Sequence, residues 1–282
     1  MSELPIVTIL TDFGQRDPFV GIVKGVVLSH CRHAILVDLC HEVPAFSILG
    51  ASLQLQSAMG YFPAGTIHLV VVDPGVGGAR RPLVARIGEQ LFVAPDNGVL
   101  SHTLMAAKEW RAWEVTEPSF VRNPASATFH GRDIFAPVAG MLAAGSPPQT
   151  FGPEVSDLAV LSIPRVVTEP DRLRGEVVWV DGFGNCLTNI GRRDLNALQG
   201  RVRAVLEVFA GTQRIGRVVP RFEAAGAGGV GALIGSTDHL ELFKNRGNLA
   251  AEWGVAPGTT VVVGAAAVRM THGQFPMAKT KN

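Results

Sequence analysis

Cysteine is scarce in this chain. Cys31, Cys40 and Cys186 are odd in number and lack C-x-x-C spacing, which argues against a disulfide framework and against a structural zinc site. All three are expected as small buried side chains. An excess of charge of one sign is also missing: 25 Lys plus Arg stand against 24 Asp plus Glu, a formal charge of +1, with no basic run outside the last few positions. Neither a nucleic-acid partner nor an anionic membrane surface is expected. Long apolar runs are absent as well, since Leu69 to Val72 and Thr260 to Val268 fall short of the roughly 20 residues a bilayer span needs. Met1-Ser2-Glu3-Leu4-Pro5 has no basic segment and no small-residue cleavage site, so the cytoplasm is the expected compartment. Familiar catalytic signatures are missing too. There is no G-x-S-x-G elbow, and Gly75-Val76-Gly77-Gly78 has neither the G-x-G-x-x-G spacing nor a G-K-[ST] ending. A two-metal phosphoesterase is disfavoured by the lack of a D-x-H pair and of a Gly-Asn-His triplet.

What the chain does have is enough apolar material for a sizeable core, 47% hydrophobic residues against 17% charged. At roughly 150 residues per domain, 282 residues predict two domains of unequal size, 1–164 and 171–275. Gly 32 plus Pro 18 suits many short strands and tight turns. In the first half, strand-like runs (Ile6 to Leu10, Ala34 to Val37, Ile67 to Val72, Leu91 to Ala94) enclose helical spacing at Phe19, Ile22, Val23, Val26, Val27 and over Ile48 to Met59. That alternation predicts an α/β domain with a mostly parallel sheet between helices. Pro164 to Pro170 reads as a linker. Beyond it Glu176 to Val180, Val202 to Phe209 and Thr259 to Val263, separated by Gly-rich stretches, lack a strong helical period and predict a smaller all-β barrel domain. The tail after Thr271 reads as a frayed end.

Four strand-like runs lead into an aspartate: Asp12, Asp38, Asp73 and Asp96. Ligands of open α/β sheets bind outside the carboxyl ends of strands, so acids placed there point to one crevice. For Asp38 the plainer role of capping a turn is favoured. A fifth cluster, Phe129-His130-Gly131-Arg132-Asp133, opens an apolar helical segment. There His130 fits a general base or charge partner and fits a satisfied structural histidine equally.

Taken in order, Thr11-Asp12-Phe13-Gly14 with Asp17, Val37-Asp38 through His41, Val72-Asp73-Pro74-Gly75-Val76-Gly77 with Arg80, Pro95-Asp96-Asn97-Gly98, Phe129-His130-Gly131-Arg132-Asp133, and Asp181-Gly182-Phe183-Gly184-Asn185 with Thr188-Asn189 resemble the S-adenosyl-L-methionine hydroxide adenosyltransferase family, relatives of the fluorinases and chlorinases. The resemblance spans nearly the whole chain. It implies cleavage of S-adenosylmethionine to adenosine and methionine by water or hydroxide attacking the ribose 5′ carbon, with no metal and no cofactor besides the substrate. It also implies a homotrimer whose active sites lie at subunit interfaces. The family's Asp-Arg-His triad maps onto Asp73, Arg80 and His130, the seven-residue step preferring Arg80 to the adjacent Arg81. Asp12 matches the acceptor of the ribose hydroxyls, Asn185 the reader of the adenine edge, Phe183 the ring beside it, and Asp181 the carboxylate facing the substrate ammonium. Phe46 stands where halogenating relatives carry a stacking tryptophan, and Ser236 matches a weaker motif for which a turn serine serves as well.

A sulfonium leaves as a neutral thioether, so the reaction needs no general acid and rests on placing a desolvated water in line with the C–S bond. Asp73 suits accepting from that water, His130 taking its proton and Arg80 holding the carboxylate; which of them is the base is open at this stage. Fluorinating relatives carry Tyr at the place of Asp73, Ser at that of Gly131, and an inserted loop not found here, so the resemblance favours the hydroxide-using type over a chlorinase type. Leu187 and Thr237 depart from the halogenase Trp and Arg. A sensor of S-adenosylmethionine or adenosine with incidental turnover is the alternative from another class.

Overall fold

The computed structural model describes residues 4–117, 119 and 126–266. The chain divides into two compact units, Met1–Ile163 and Pro164–Asn282. Unit 1 starts β1 (Ile6–Thr11), α1 (Phe19–His30), β2 (Ile35–Cys40), α2 (Ile48–Met59), β3 (Ile67–Val71). Strand β1 pairs in parallel with β2 on one side and with β3 on the other. The chain therefore leaves β1 in one direction and returns in the other, which opens a crevice at the carboxyl ends of β1 and β3.

The expectation of a mostly parallel sheet is corrected beyond this point. β4 (Pro82–Ile87) and β5 (Gln90–Pro95) form an antiparallel hairpin around Gly88-Glu89, with Gly88 at φ +56°. Two residues suffice for a hairpin, whereas a parallel return needs a crossover of a dozen or more. β5 then pairs in parallel with β3, while β6 (Trp110–Glu114) and β7 (Glu154–Val155) add on antiparallel. The result is a mixed seven-stranded sheet in the order β2-β1-β3-β5-β4-β6-β7.

Side chains alternate across this sheet. Val7, Ile9, Leu69, Val71, Val84 and Val93 pack on one face with α1 and α4 (Ala136–Ala143); Leu10, Val70, Val72, Ala85, Phe92 and Ala94 pack on the other with α2. Burying each large aliphatic side chain contributes about 1.5–3 kcal/mol. Helix α1 turns Val20, Val23 and Val27 inward, so the predicted stripe is rotated by about one residue: Phe19 and Ile22 stay partly exposed. Gly140 lets α4 approach α1, since a Cβ there would lie 2.8 Å from the Val27 carbonyl oxygen.

Unit 2 holds β8 (Val167–Thr168), β9 (Arg172–Val180), β10 (Cys186–Gly191), α5 (Arg192–Val202), β11 (Leu206–Ala210), β12 (Gln213–Arg217), β13 (Val230–Ile234), β14 (His239–Lys244), α6 (Leu249–Trp253) and β15 (Thr260–Ala265). Its antiparallel sheet runs β12-β11-β15-β9-β10-β14-β13, and a bridge between Val218 and Ala232 brings the two ends together into a nearly closed barrel around Val177, Ile190, Val208, Leu240, Leu242 and Val261. Two expectations change here. The unit is not all-β, because α5 and α6 pack against the sheet, and the run Val202 to Phe209 is not one strand. Leu195, Leu198 and Val202 share a helical face; Arg203 ends the helix in the left-handed region at φ 49°, and the strand begins only at Leu206. β8 falls inside the stretch expected as linker. Cys31 and Cys186 are buried, but Cys40 is only half-buried. The tail after Thr271 lies outside the described residues. Among them no helix is long and apolar enough to cross a membrane.

Candidate active site

A cavity of about 300 Å³ opens over the carboxyl ends of β1 and β3, with Asp12, Phe46, Asp73, His130 and Gly131 in its lining. Asp73 follows β3 by two residues and meets Arg80 at the far end of a glycine-rich loop. Arg80 Nε donates to Asp73 Oδ1 and Oδ2 at 3.0 and 2.9 Å, and Nη2 donates to Oδ2 at 2.5 Å. The two side chains are only 4% and 10% exposed, so the charges attract with little screening. Arg80 also stacks on Phe135, 5.2 Å from the ring centre.

His130 completes the row. Arg80 Nη2 lies 2.6 Å from its Nδ1, and because a guanidinium has no acceptor, Nδ1 must accept, which places the ring proton on Nε2. Burial, and then the Arg80 charge, lower the His130 pKa, while Asp73 and Asp133 oppose the shift. A neutral imidazole with Nε2–H as donor results. His130 stands directly before a π-helical turn, Gly131–Phe135, a distortion that is frequent at functional sites. The neighbouring Arg81 points elsewhere, to Asp96 and Asp157.

On the β1 side, Asp12 Oδ2 accepts from the Phe46 backbone N–H at 2.9 Å. Phe46, 69% exposed, sits at φ +68°, a strained conformation for a bulky residue. Behind Asp12 runs a polar chain: Thr11 Oγ1 is 2.8 Å from His41 Nδ1, His41 Nε2 is 3.0 Å from Asp38 Oδ1, and Lys24 donates to Asp38 Oδ2 at 2.6 Å. Asp38 therefore lies inside β2 and holds the buried His41 rather than capping a turn. Burial raises its pKa, but the bonds from Lys24 and His41 outweigh that and keep it low.

Sequence reasoning gave no role to the aromatic wall. Phe13, Phe19 and Phe129 meet edge to face at centroid distances of 5.3 to 6.0 Å, and all three line the cavity. A Cβ on Gly131 would come within 3.2 Å of Phe13 and 3.3 Å of Phe129. The signal was present, since Phe13 and Phe129 stand inside two of the motifs.

The remaining predicted residues lie in unit 2. In the loop from β9 to β10, Asp181 Oδ1 accepts from the backbone N–H groups of Phe183 and Asn185, both at 2.9 Å, and Oδ2 accepts from Asn185 Nδ2 at 3.0 Å. Asp181 thus shapes its own loop and turns the Asn185 amide. Phe183 is left 80% exposed. Ser236 sits in the turn between β13 and β14. Glu241, not singled out from the sequence, is half-buried near this loop, and burial followed by the Asp181 charge raises its pKa. The same two carboxylates and burial, the largest cause, push the Cys186 thiol up to about 12, which leaves it unreactive. A wider groove of about 630 Å³ runs along α5 and is lined by none of the predicted residues. Among the described residues, no three His, Cys, Asp or Glu side chains are grouped to hold a metal ion.

Residues 7–152 match the SAM hydroxide adenosyltransferase N-terminal domain, and residues 175–262 match the C-terminal domain of the same family. The chain is 37% identical over 263 residues to an (R)-S-adenosyl-L-methionine hydrolase of Thermus thermophilus, covering 89% of this chain and 96% of that protein. It is 27% identical over 292 residues to a fluorinase of Nocardia brasiliensis, with 92% and 96% covered. An uncharacterized conserved protein from Thermotoga maritima has a crystal structure that superposes with a TM-score of 0.85 at 34% identity, over 91% of this chain and 99% of that one. With both domain matches and these identities across most of its length, the chain belongs to the SAM hydroxide adenosyltransferase family.

Proposed function

We propose that this protein hydrolyses S-adenosyl-L-methionine to adenosine and L-methionine. Water attacks the ribose 5′ carbon, the C–O bond forms as the C–S bond breaks, and the sulfonium departs as neutral methionine. The observation that carries this reading is the Asp73–Arg80–His130 row beside a cavity at the strand ends. His130 Nδ1 is engaged by Arg80, so the base is Asp73: it accepts the water proton, Arg80 holds its carboxylate in one orientation, and His130 Nε2–H donates to the attacking oxygen. A carboxylate at this point also attracts the sulfonium and repels a halide, which favours water as the nucleophile, as does the aromatic packing that fills the space around Gly131.

Asp12, with Oδ1 left for the substrate, takes the ribose hydroxyls, and Phe46 packs beside the ribose and base. In unit 2, Asn185 reads the adenine edge, Phe183 covers the ring, and Asp181 and Ser236 face the amino-acid end. The exposed residues Phe183 and Phe46 support a homotrimer in which unit 2 of one copy serves unit 1 of the next. The enzyme works in the cytoplasm and uses no metal or cofactor. The test is incubation of purified protein with S-adenosylmethionine, with EDTA and without halide, followed by chromatography. Adenosine and methionine in equal amounts, lost in Asp73→Ala, are expected; substrate left intact over hours overturns the reading.

A further inference from the structure

Pro95-Asp96-Asn97-Gly98 is a motif that the proposed chemistry leaves without a task, and neither Asp96 nor Asn97 lines the cavity. Both nevertheless hold the loop that carries the reacting pair. That loop runs from Asp73 to Arg80. Asn97 Nδ2 donates to the carbonyl of Val72 at 2.9 Å, one residue before Asp73. Asp96 takes Arg81, one residue after Arg80: Arg81 Nε and Nη2 donate to Asp96 Oδ2 at 2.9 and 2.6 Å, and the Asp96 N–H donates to the Arg81 carbonyl at 2.8 Å. Two consecutive residues thus grip the loop at both ends. They are anchored in turn, because Asn97 Oδ1 accepts from Val99 N–H at 3.1 Å and Asp96 Oδ1 accepts from Ala159 N–H at 2.8 Å. The Asp96 side chain is only 7% exposed.

We propose that Asp96 and Asn97 form a clamp that sets the spacing and orientation of Asp73 and Arg80, as positioning residues for hydrolysis; this rests on the reading that Asp73 and Arg80 place the attacking water. Between its ends the loop contains Gly75, Gly77 and Gly78, whose backbone freedom would let those ends drift if nothing held them. Placement is what the reaction demands, and a misplacement of about 1 Å costs about 100-fold in rate. Asp96 also settles which arginine serves the site. Arg81 is held by Asp96 and, through Nη1 and Nη2, by the Asp157 carboxylate and carbonyl, which leaves the Asp73 carboxylate to Arg80.

The test uses the full chain with S-adenosylmethionine as the probe, comparing Asn97→Asp and Asp96→Asn with wild type. Asn97→Asp replaces the donor to Val72 with an acceptor; Asp96→Asn keeps the shape and removes the buried one of the two carboxylates that hold Arg81, leaving only the exposed Asp157. Each variant is expected to lower kcat by about 10- to 100-fold, with KM within threefold and adenosine-binding stoichiometry unchanged. In an Asp73→Asn background the same substitutions should change the residual rate by less than twofold, since the clamp acts only through the pair it positions. A kcat within twofold of wild type in both variants overturns the proposal. So does a loss of kcat that runs in step with binding stoichiometry, the mark of a purely structural role, or a full additional loss in the Asp73→Asn background. Failure of the underlying reading shows separately, as wild-type protein that leaves the substrate intact.

Discussion

Replacing Arg80 with methionine isolates the ion pair at the centre of the site. Methionine keeps an aliphatic stem of similar length and deletes the guanidinium, which donates to Asp73 and lies over the Phe135 ring. An exposed ion pair contributes about 0.2–1 kcal/mol, whereas removing one partner of a buried pair costs about 3–5 kcal/mol, because the other charge is stranded. Side chains 4% and 10% exposed place this pair near the buried limit, while the adjoining cavity relieves part of the penalty, so about 3 kcal/mol is expected. Asp73→Asn combined with Arg80→Met strands no charge and should recover about 2 kcal/mol of that loss. Urea unfolding at pH 7, read from the fluorescence of Trp110 and Trp113 in β6 in a background with Trp179 and Trp253 replaced by Phe and compared across the parent, the two single variants and the double, checks this. A loss below about 1 kcal/mol for Arg80→Met, or a double variant as unstable as that single, would refute a buried and mutually dependent pair.

His68 lies buried between Phe62 and Phe92, 2.7 Å from Thr8 Oγ1, and burial lowers its pKa from 6.5 to about 4. The unfolded chain takes up this proton first, so stability should fall as pH drops from 6.5 towards 4. At about 1.36 kcal/mol per pH unit the gap amounts to about 3 kcal/mol; His68→Gln should flatten that part of the Tm-against-pH curve, and an unchanged slope would contradict it. Gly131→Ala forces a Cβ against Phe13 and Phe129. It should destabilise unit 1 by about 1 kcal/mol and raise KM for S-adenosylmethionine while the fold is kept; unaltered KM and Tm would show that the ring pair yields freely.

Local pattern carried much of this protein's organisation. Alternating strand and helix periods were readable over 6–72 because each element there has enough length to show its own period, and both faces of the sheet are covered by helices. The aspartates after β1 and β3 were readable because a strand end at a crevice needs residues that both turn the chain and hold charge, whereas Asp96, after β5, lies outside the cavity lining and pairs with Arg81. Periodicity failed where an element is short or shares its composition with a neighbour. The β4–β5 hairpin turns on two residues, so nothing in its apolar run distinguishes an antiparallel strand from a parallel one. Helix α5 merged with β11 in the sequence because apolar residues continue across Arg203, and only the left-handed backbone at that residue separates them.

The sequence by itself determined the motif order, and with it the family, the type of each site residue and the seven-residue step from Asp73 to Arg80. Only the tertiary structure decided which groups touch. Sequence spacing fixes neither the distance between residues 50 apart nor the tautomer of a histidine. It took the packing of the π-helical turn against β3 to set Arg80 between Asp73 and His130 and so to put the imidazole proton on Nε2. The same holds for Asp96 and Asn97 at the two ends of the loop: a hydrogen bond is formed by atoms that folding brings within 3 Å or so, and their partners Arg81 and Val72 lie 15 and 25 residues away in the chain.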